Sequence, residues 1–409
     1  MSDKVYTRMM LRRRFCKRII ILGLIFTISF YSSILLFGDP KIPTIMKLTN
    51  LQRCPACYGV TVCPELYSSE ITLETNGWYN IFNTKNIYYG YTKSNRKVVL
   101  KQLAHDWEFQ NFDLKLCKRW KLKRNCQPKQ LLNASNIEEK VIKIIKYNLS
   151  WSYDEPRKGL VMCPYAQSFY DLLHSVPDVP RENPKSHMIN IWTMLMINPE
   201  PLILQIIPKS KGWPVPAYAG VCGRLEVVAH EGESLSALTH IEWHKKLKQA
   251  KQMLSAAMDF TYKHDRFRFY LMDWSIDNIV ADTDDRITFV DLEDVIVLDK
   301  QTSPQKDLPD WYQRYTRENM GTEFTFSIDN ICKHHLSDHN IWAACHVLAN
   351  EQTGYLYPIP KEVNSSKPHF DKLLKECLNG NDRFVTVNKL EQLMGDMLND
   401  EKIIGYGVR

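Results

Sequence analysis

Three apolar runs near the start of the folded part of the chain alternate with short polar turns. Such runs are typical of antiparallel strands, because successive strand side chains point to opposite faces of a sheet. The runs cover residues 79–82, 87–91 and 98–103, with polar residues between them. The pattern therefore predicts an antiparallel meander.

The pattern then changes to the period of an α-helix. Charged stretches at 105–117, 136–147 and 166–175 predict helices, and the apolar runs 202–207 and 225–229 predict two more strands. A longer stripe follows, whose mostly apolar residues recur at the spacing of one helix face. Its members are Trp243, Leu247, Ala250, Leu254, Ala257 and Thr261.

A hairpin follows this long helix, with predicted strands at 278–281 and 287–290, and the chain from about residue 311 is mostly helical in pattern. A strand-rich first half and a helix-rich second half predict an α+β fold with two lobes. We place N-lobe-like strands with helical insertions over 71–230. A helical C-lobe carrying the hairpin is placed over 231–409.

The amino-terminal residues have the pattern of a membrane anchor. Residues 1–18 carry seven Lys or Arg, whereas residues 19–37 carry no charge and nearly span a hydrocarbon core of about 30 Å as a helix. Basic residues on the amino side keep the tail in the cytosol. We predict a basic cytosolic tail over 1–18, a type II transmembrane signal-anchor over 19–37 and a Cys-containing stem over 38–70. A cleaved signal peptide, ending near Ser29, Ser32 and Ser33, is the alternative.

The charge distribution argues against nucleic-acid binding. The net charge is +7, but all except one of these positive charges lie in residues 1–18. A nucleic-acid-binding protein needs a basic face to displace counterions from phosphates. The nearly neutral body does not supply such a face.

Sequons and cysteines favour the secretory pathway. Asn133, Asn148 and Asn364 begin Asn-X-Ser sequons, and an even number of cysteines, ten, follows the predicted anchor. The Cys54-Pro-Ala-Cys57 motif is compatible with a redox dithiol, a zinc site or structural disulfides, and the oxidising compartment favours disulfides. A second group has a spacing that could hold zinc, but disulfides and solvated histidines are the simpler interpretation in an oxidising compartment. Its members are Cys332, His335, His339 and Cys345.

The stretch around the hairpin contains the side chains that phosphoryl transfer requires. A carboxylate must lie near the acceptor hydroxyl, and oxygen ligands must hold a divalent cation against the phosphates. Asp273, Asn278 and Asp291 supply these groups in that order. Upstream, Lys101 lies at the end of a predicted strand, where a lysine reaches nucleotide phosphates in kinases. A solvated strand-end lysine is the simpler interpretation of Lys101 taken alone.

The chain after the anchor resembles the divergent protein kinase domain 2 family, in particular its deleted-in-autism (2A) type. The resemblance rests on short motifs spread from the stem to the carboxyl half. They are Cys54-Pro-Ala-Cys57-Tyr-Gly, Val98-Val99-Leu100-Lys101, Asn198-Pro199-Glu200-Pro201-Leu202, Gly212-Trp213-Pro214, Gly220-Val-Cys222-Gly223-Arg224, Tyr270-Leu-Met-Asp273 through Asn278, and Asp338-His-Asn340. The resemblance implies that the protein has a protein-kinase-like fold. It also implies that the protein is located in the Golgi and is secreted in part.

The resemblance also assigns site residues. It implies that Asp273 is the catalytic-loop aspartate, that Lys101 binds the phosphates of ATP, and that Asn278 and Asp291 bind Mg²⁺ or Mn²⁺. A helix glutamate should pair with Lys101. Glu108 is the nearest candidate in sequence, and Glu138 and Glu139 lie on a later predicted helix.

Three departures from the kinase pattern bear on activity. No Gly-rich loop separates the first two predicted strands, Leu271-Met272 replaces the His-Arg before the catalytic aspartate, and Leu292-Glu293 replaces Phe-Gly after Asp291. We therefore hold two hypotheses. One is a kinase that phosphorylates hydroxyls of lumenal or extracellular proteins or glycans. The other is a pseudokinase that acts as a Golgi-resident or secreted binding or signalling protein, for example through a cell-surface receptor.

Overall fold

The computed structural model describes Gly23, Thr27 and most of the chain from residue 43 to residue 400. The described ranges after residue 42 are 43–74, 86–123, 126–133, 136–137, 139–143, 159–174, 176, 184–238, 240–302, 310–312, 327–350, 353–380 and 382–400.

Strands and helices alternate in the first two thirds of the described chain. The strands are β1 Ile71–Leu73, β2 Ile87–Thr92, β3 Lys97–Lys101, β4 Leu160–Cys163, β5 Tyr218–Cys222, β6 Leu225–Ala229, β7 Glu233–Ser234, β8 Phe267–Leu271, β9 Ile279–Ala281, β10 Ile287–Phe289 and β11 Val295–Asp299. The α-helices are α1 Ile45–Thr49, α2 Cys63–Tyr67, α3 Asp106–Arg119, α4 Phe169–Leu173, α5 Pro184–Ile197, α6 Glu200–Ile206, α7 Trp243–Tyr262, α8 Ile328–Lys333, α9 His339–Ala349, α10 Lys361–Ser366, α11 His369–Asn379 and α12 Arg383–Leu398.

The first sheet is antiparallel, with strand order β1-β2-β3-β6-β5. Two small sheets are β10-β9-β7 and β4-β11-β8, and all of their strands except β4 come after residue 230. The predicted hairpin is present, since β9 pairs with β10 from Ile279 to Phe289. The mixture of helices and sheets confirms the α+β fold class.

The segment predicted as a stem packs on the first sheet. Leu48, Val62 and Leu66 are buried in one cluster with Leu100 and Val227 of β3 and β6. A disulfide between Cys63 and Cys222 fixes the segment to β5. Residues 45–67 are therefore part of the folded body, because their apolar side chains cover one face of the sheet.

Helix α7 is the central helix of the second half. Its residues Leu247, Ala250, Leu254 and Ala257 are fully buried, as the apolar stripe predicts. Helices α9 and α12 both pack against it. The hydrophobic effect of burying this stripe stabilises the helical part of the chain.

One predicted element has the wrong type, and others fall partly outside the described residues. Residues 202–207 were expected to be a strand, but Glu200–Ile206 form helix α6. A short, fully buried apolar run has no distinguishing period, and Pro201 in the first turn is a helix-start signal. The predicted strand 79–82 lies outside the described residues, and β2 pairs instead with β1. Within the predicted helix 136–147, residues 137 and 139–143 are described and are helical.

The predicted signal-anchor lies outside the described residues except for Gly23 and Thr27. Within the described part of the chain, the helices are too short or too polar to cross a bilayer.

Five disulfides join the cysteines of the described residues. They are Cys54–Cys57, Cys63–Cys222, Cys117–Cys126, Cys163–Cys332 and Cys345–Cys377. The prediction of structural disulfides is confirmed. Cys332 and Cys345, two members of the histidine-containing group, lie in different disulfides.

Candidate functional site

Lys101 ends strand β3 and forms a buried ion pair with Glu200. Its Nζ donates a hydrogen bond to Glu200 Oε1 at 2.7 Å and another to the backbone oxygen of Val290. Only 9% of Lys101 and 1% of Glu200 are exposed. A buried ammonium is costly unless a carboxylate compensates it, so this pairing accounts for the position of Lys101. The solvated interpretation of Lys101 is therefore wrong.

Glu108 does not pair with Lys101. Its Oε2 accepts a hydrogen bond from the backbone N–H of His105 at 2.7 Å, which forms a capping box at the start of α3. Glu138 has no described position, and Glu139 is exposed on the later helix. The partner is supplied by α6, which is remote in sequence but packs against β5 of the same sheet.

Asp273 and Asn278 lie on the loop between β8 and β9. The Asn278 side-chain N–H donates to Asp273 Oδ2 at 2.9 Å, and its backbone N–H donates to the Ser275 oxygen at 3.1 Å. Asp273 is exposed, whereas Asn278 is buried. The turn thus presents the Asp273 carboxylate at the surface of the protein and leaves the Asn278 amide oxygen for another ligand.

Asp291 follows β10, and the antiparallel pairing of β9 and β10 brings it beside the Asp273 loop. The Val290 N–H donates to the Asn278 oxygen at 3.0 Å. One cavity of about 1030 Å³ is lined by Lys101, Asp273, Asn278 and Asp291 together. Glu108 and Glu200 line it as well. The structure therefore brings all the predicted site residues to one cleft, where β3 meets the hairpin.

The charges around Lys101 perturb one another. Burial disfavours its ammonium, but the carboxylates of Glu200, Glu226 and Asp291 outweigh this effect and raise the pKa of Lys101. Burial also raises the pKa of Glu200 to about 7, against the opposing influence of Lys101. Strongly perturbed groups in a cleft are typical of functional sites.

Glu226 is a third carboxyl in this region. It lies on β6 directly opposite Lys101 in the strand register, is fully buried, and neither of its carboxyl oxygens has a hydrogen-bond partner among the described residues. Burial, with Glu200 next in effect, raises its pKa well above the ordinary value. The folded chain therefore holds the Glu226 proton more tightly than the unfolded chain does.

The strand that leads to Asp273 is fixed by α9. His339 Nε2 donates to the Leu271 oxygen at 2.8 Å, and the Asn340 side-chain N–H donates to the Phe269 oxygen at 2.8 Å. Burial lowers the pKa of His339 to about 4, so the ring is neutral. His339 and Asn340 of the Asp338-His-Asn340 motif therefore position strand β8, which leads to Asp273.

A metal bound here would need ligands from outside the protein. Among the described residues, no group of three or more His, Cys, Asp or Glu side chains is arranged to hold a metal ion. Magnesium commonly takes one or two protein oxygens together with phosphates and waters. Asp291 and the Asn278 amide oxygen line the same cavity and fit this mode.

Sequence reasoning missed Glu200, Asn198 and Glu226 as site residues. Glu200 and Asn198 lie in the motif Asn198-Pro199-Glu200-Pro201-Leu202, where an acidic residue between prolines at a helix start was an available signal. Glu226 lies in an apolar strand, where a single carboxylate was a weaker signal.

Comparisons with known proteins agree with this geometry. Residues 191–380 match the family model described as the protein-kinase domain of FAM69. The chain is 26% identical to Divergent protein kinase domain 2A of Xenopus tropicalis, over 88% of this chain and 90% of that protein. The identity is 28% to the Mus musculus protein of that name, over 85% and 87% of the two chains, and 27% to the Homo sapiens protein, over 87% and 89%.

The chain is similar to this divergent kinase-like family over most of its length. The resemblance inferred from the short motifs is thereby confirmed. The matched range contains Glu200, Asp273, Asn278 and Asp291, whereas Lys101 lies before it. Protein kinases require a lysine–glutamate pair in place for activity, and Lys101 and Glu200 form a buried pair of the same two residue types.

Proposed function

We propose that the protein binds a metal–nucleotide complex in the 1030 Å³ cavity and transfers a phosphoryl group to a hydroxyl. Lys101 binds the nucleotide phosphates, and Asn278 with Asp291 holds Mg²⁺ or Mn²⁺. Asp273 orients the acceptor hydroxyl and accepts its proton. The bound cation would neutralise charge that develops on the phosphates.

The observation that supports this proposal is the set of paired side chains in one cavity. Lys101 is held by Glu200 at 2.7 Å, and Asn278 holds Asp273 at 2.9 Å. Preorganised charged groups of this kind stabilise developing charge without reorganising during the reaction. A chain that kept the fold only for its outer surface would have no need of a buried Lys–Glu pair.

We place the substrate in the secretory pathway, as a lumenal or extracellular protein or a glycan. Asn133 and Asn364 of the sequons are exposed, so both are accessible to glycosylation. The disulfides described above persist in an oxidising compartment. An anchor or cleaved signal at residues 19–37 belongs to the same proposal.

A second candidate function is a catalytically inactive binding protein, and the charge of the cavity favours it. Nine of the described lining residues are acidic, and a single lysine opposes them. Residues 74–86, between β1 and β2, contain only one glycine in sequence. Phosphates without bound cations would be repelled, and close backbone contact with them would be limited.

The test is nucleotide binding by the full-length chain. We expect MnATP at about 100 times its dissociation constant to add about 2.7 kcal/mol of stability, seen as a rise in melting temperature. Asp291→Ala should abolish the rise. Glu233→Ala is the control, because Glu233 lines the same cavity with a side chain that is 66% exposed. Absence of any shift in the wild-type chain over a broad nucleotide range would favour the binding protein.

A further inference from the structure

Glu293 occupies the position two residues after Asp291, and its carboxylate has a specific partner. The Asn198 side-chain N–H donates to Glu293 Oε2 at 2.8 Å. Asn198 lies just before α6 and is only 3% exposed. A hydrogen bond to a carboxylate is stronger than one between neutral groups, so this contact ties the Asp291 segment to the start of α6.

The oxygen of the same Asn198 amide contacts the backbone of Glu200. Asn198 Oδ1 accepts a hydrogen bond from the Glu200 backbone N–H at 2.9 Å. Glu200 in turn accepts from Lys101 at 2.7 Å. A single buried asparagine therefore joins the carboxylate of Glu293 to the ion pair at the end of β3.

The chain of contacts closes on itself. Lys101 also donates to the Val290 oxygen, one residue before Asp291. The Glu293 N–H donates to Asp291 Oδ1 at 3.4 Å, a long contact at the weak end of hydrogen bonding. The path thus leaves residues 290–293 through Glu293, passes through Asn198, Glu200 and Lys101, and returns to Val290.

We propose that Glu293, acting through Asn198, is a positioning residue that holds the Asp291 segment and the Lys101–Glu200 pair in one fixed arrangement. The proposal rests on the proposed function for its consequence, since the fixed groups are those that bind the metal–nucleotide complex. The carboxylate is used as a hydrogen-bond acceptor for Asn198. Its role is therefore distinct from that of the metal-binding groups Asn278 and Asp291.

The arrangement gives a physical reason for the replacement of glycine by glutamate at this position. Leu271-Met272 stand where kinases have His-Arg, so no arginine is present there to bind a phosphorylated loop. The Glu293–Asn198 contact instead connects the Asp291 segment to the start of α6. It does so with groups of this chain alone and requires no modification.

The first test uses the ligand-free, full-length chain. Pro199 and Pro201 have no amide hydrogen, so a fragment covering residues 199–201 reports hydrogen exchange at Glu200 alone. Loss of one hydrogen bond should speed exchange by about fivefold or more. We expect this for Asn198→Ala and also for Glu293→Ala, although Glu293 does not touch that amide.

The controls separate hydrogen bonding from charge. Glu293→Gln keeps an oxygen that accepts from Asn198, so exchange at Glu200 should remain near the wild-type rate. Glu233→Ala, a carboxylate in the same cavity but outside the chain of contacts, should have no effect. Unchanged exchange in Glu293→Ala would overturn the proposal.

The second test measures MnATP affinity in the same variants. Glu293→Ala and Asn198→Ala should weaken it by similar factors, the double variant should be no weaker than either, and Glu293→Gln should restore it. Equal weakening by Glu293→Gln and Glu293→Ala would identify Glu293 as a metal ligand and overturn the proposal. A wild-type chain that binds no MnATP but shows the expected exchange pattern would refute the proposed function and support the positioning role of Glu293 in the fold.

Discussion

The Asn340 side-chain oxygen accepts a hydrogen bond from the Leu271 backbone N–H at 3.1 Å, two residues before Asp273. Both residues are buried. Asn340 also donates to Phe269 and to Thr261 Oγ1, so every bond of its amide is made within the protein. Strand β8 is thus held by a side chain from α9, almost 70 residues further along the chain.

Replacing this asparagine should destabilise the fold. Asn340→Ala leaves the Leu271 N–H and the Phe269 oxygen buried without their partner, which should cost about 2–4 kcal/mol of unfolding free energy. The measurement is the urea midpoint of the full-length chain. Asn379→Ala is the control, because Asn379 is an exposed helix residue. Equal midpoints for the two variants would contradict the positioning role of Asn340.

The Glu200 carboxyl should make stability depend on pH. Its pKa is raised to about 7 by burial, against an ordinary value of 4.5, so the folded state binds its proton more tightly than the unfolded state does. Its contribution is complete below about pH 4.5 and declines as pH rises to about 7.

Glu200→Gln removes this titration. From pH 5 to pH 8, the unfolding free energy of the wild-type chain should fall relative to that of the variant by roughly 2–3 kcal/mol. Urea midpoints at four pH values across this range measure the difference. A constant difference would show that Glu200 titrates alike in the folded and unfolded chains.

Glu226 should be replaceable by an apolar residue with a gain in stability. Its buried oxygens have no hydrogen-bond partner in the described chain, and its pKa is raised well above the ordinary value. Glu226→Met removes the cost of keeping this carboxyl neutral, which should add about 1–3 kcal/mol at pH 8 and less at pH 5.

The pH dependence follows from the sign of the shift. Because burial raises the pKa of Glu226 in the folded chain, the cost of burying this carboxyl grows as pH rises above its ordinary pKa, whereas at low pH both states are protonated. Melting temperatures at pH 5 and pH 8 give the comparison, with Glu233→Met as the exposed control. Destabilisation of Glu226→Met at both pH values would mean that the carboxyl has a partner that stabilises it.

Much of the fold was predictable wherever one local signal dominates. The stripe of α7 has a single period over twenty residues, and the hairpin has turn residues between short apolar runs. Residues 202–207 were predicted wrongly because a buried apolar run satisfies a helix and a strand equally well.

The sequence alone determined which side chains are available for the chemistry: Lys101, Asp273, Asn278 and Asp291, in kinase order. Only the tertiary structure decided that Glu200 pairs with Lys101, that Glu108 caps a helix, and that Glu293 binds Asn198. Partner choice depends on distances between elements far apart in the chain. Those distances are set in part by the packing of α6 against β5 of the first sheet, and no local pattern of residues encodes them.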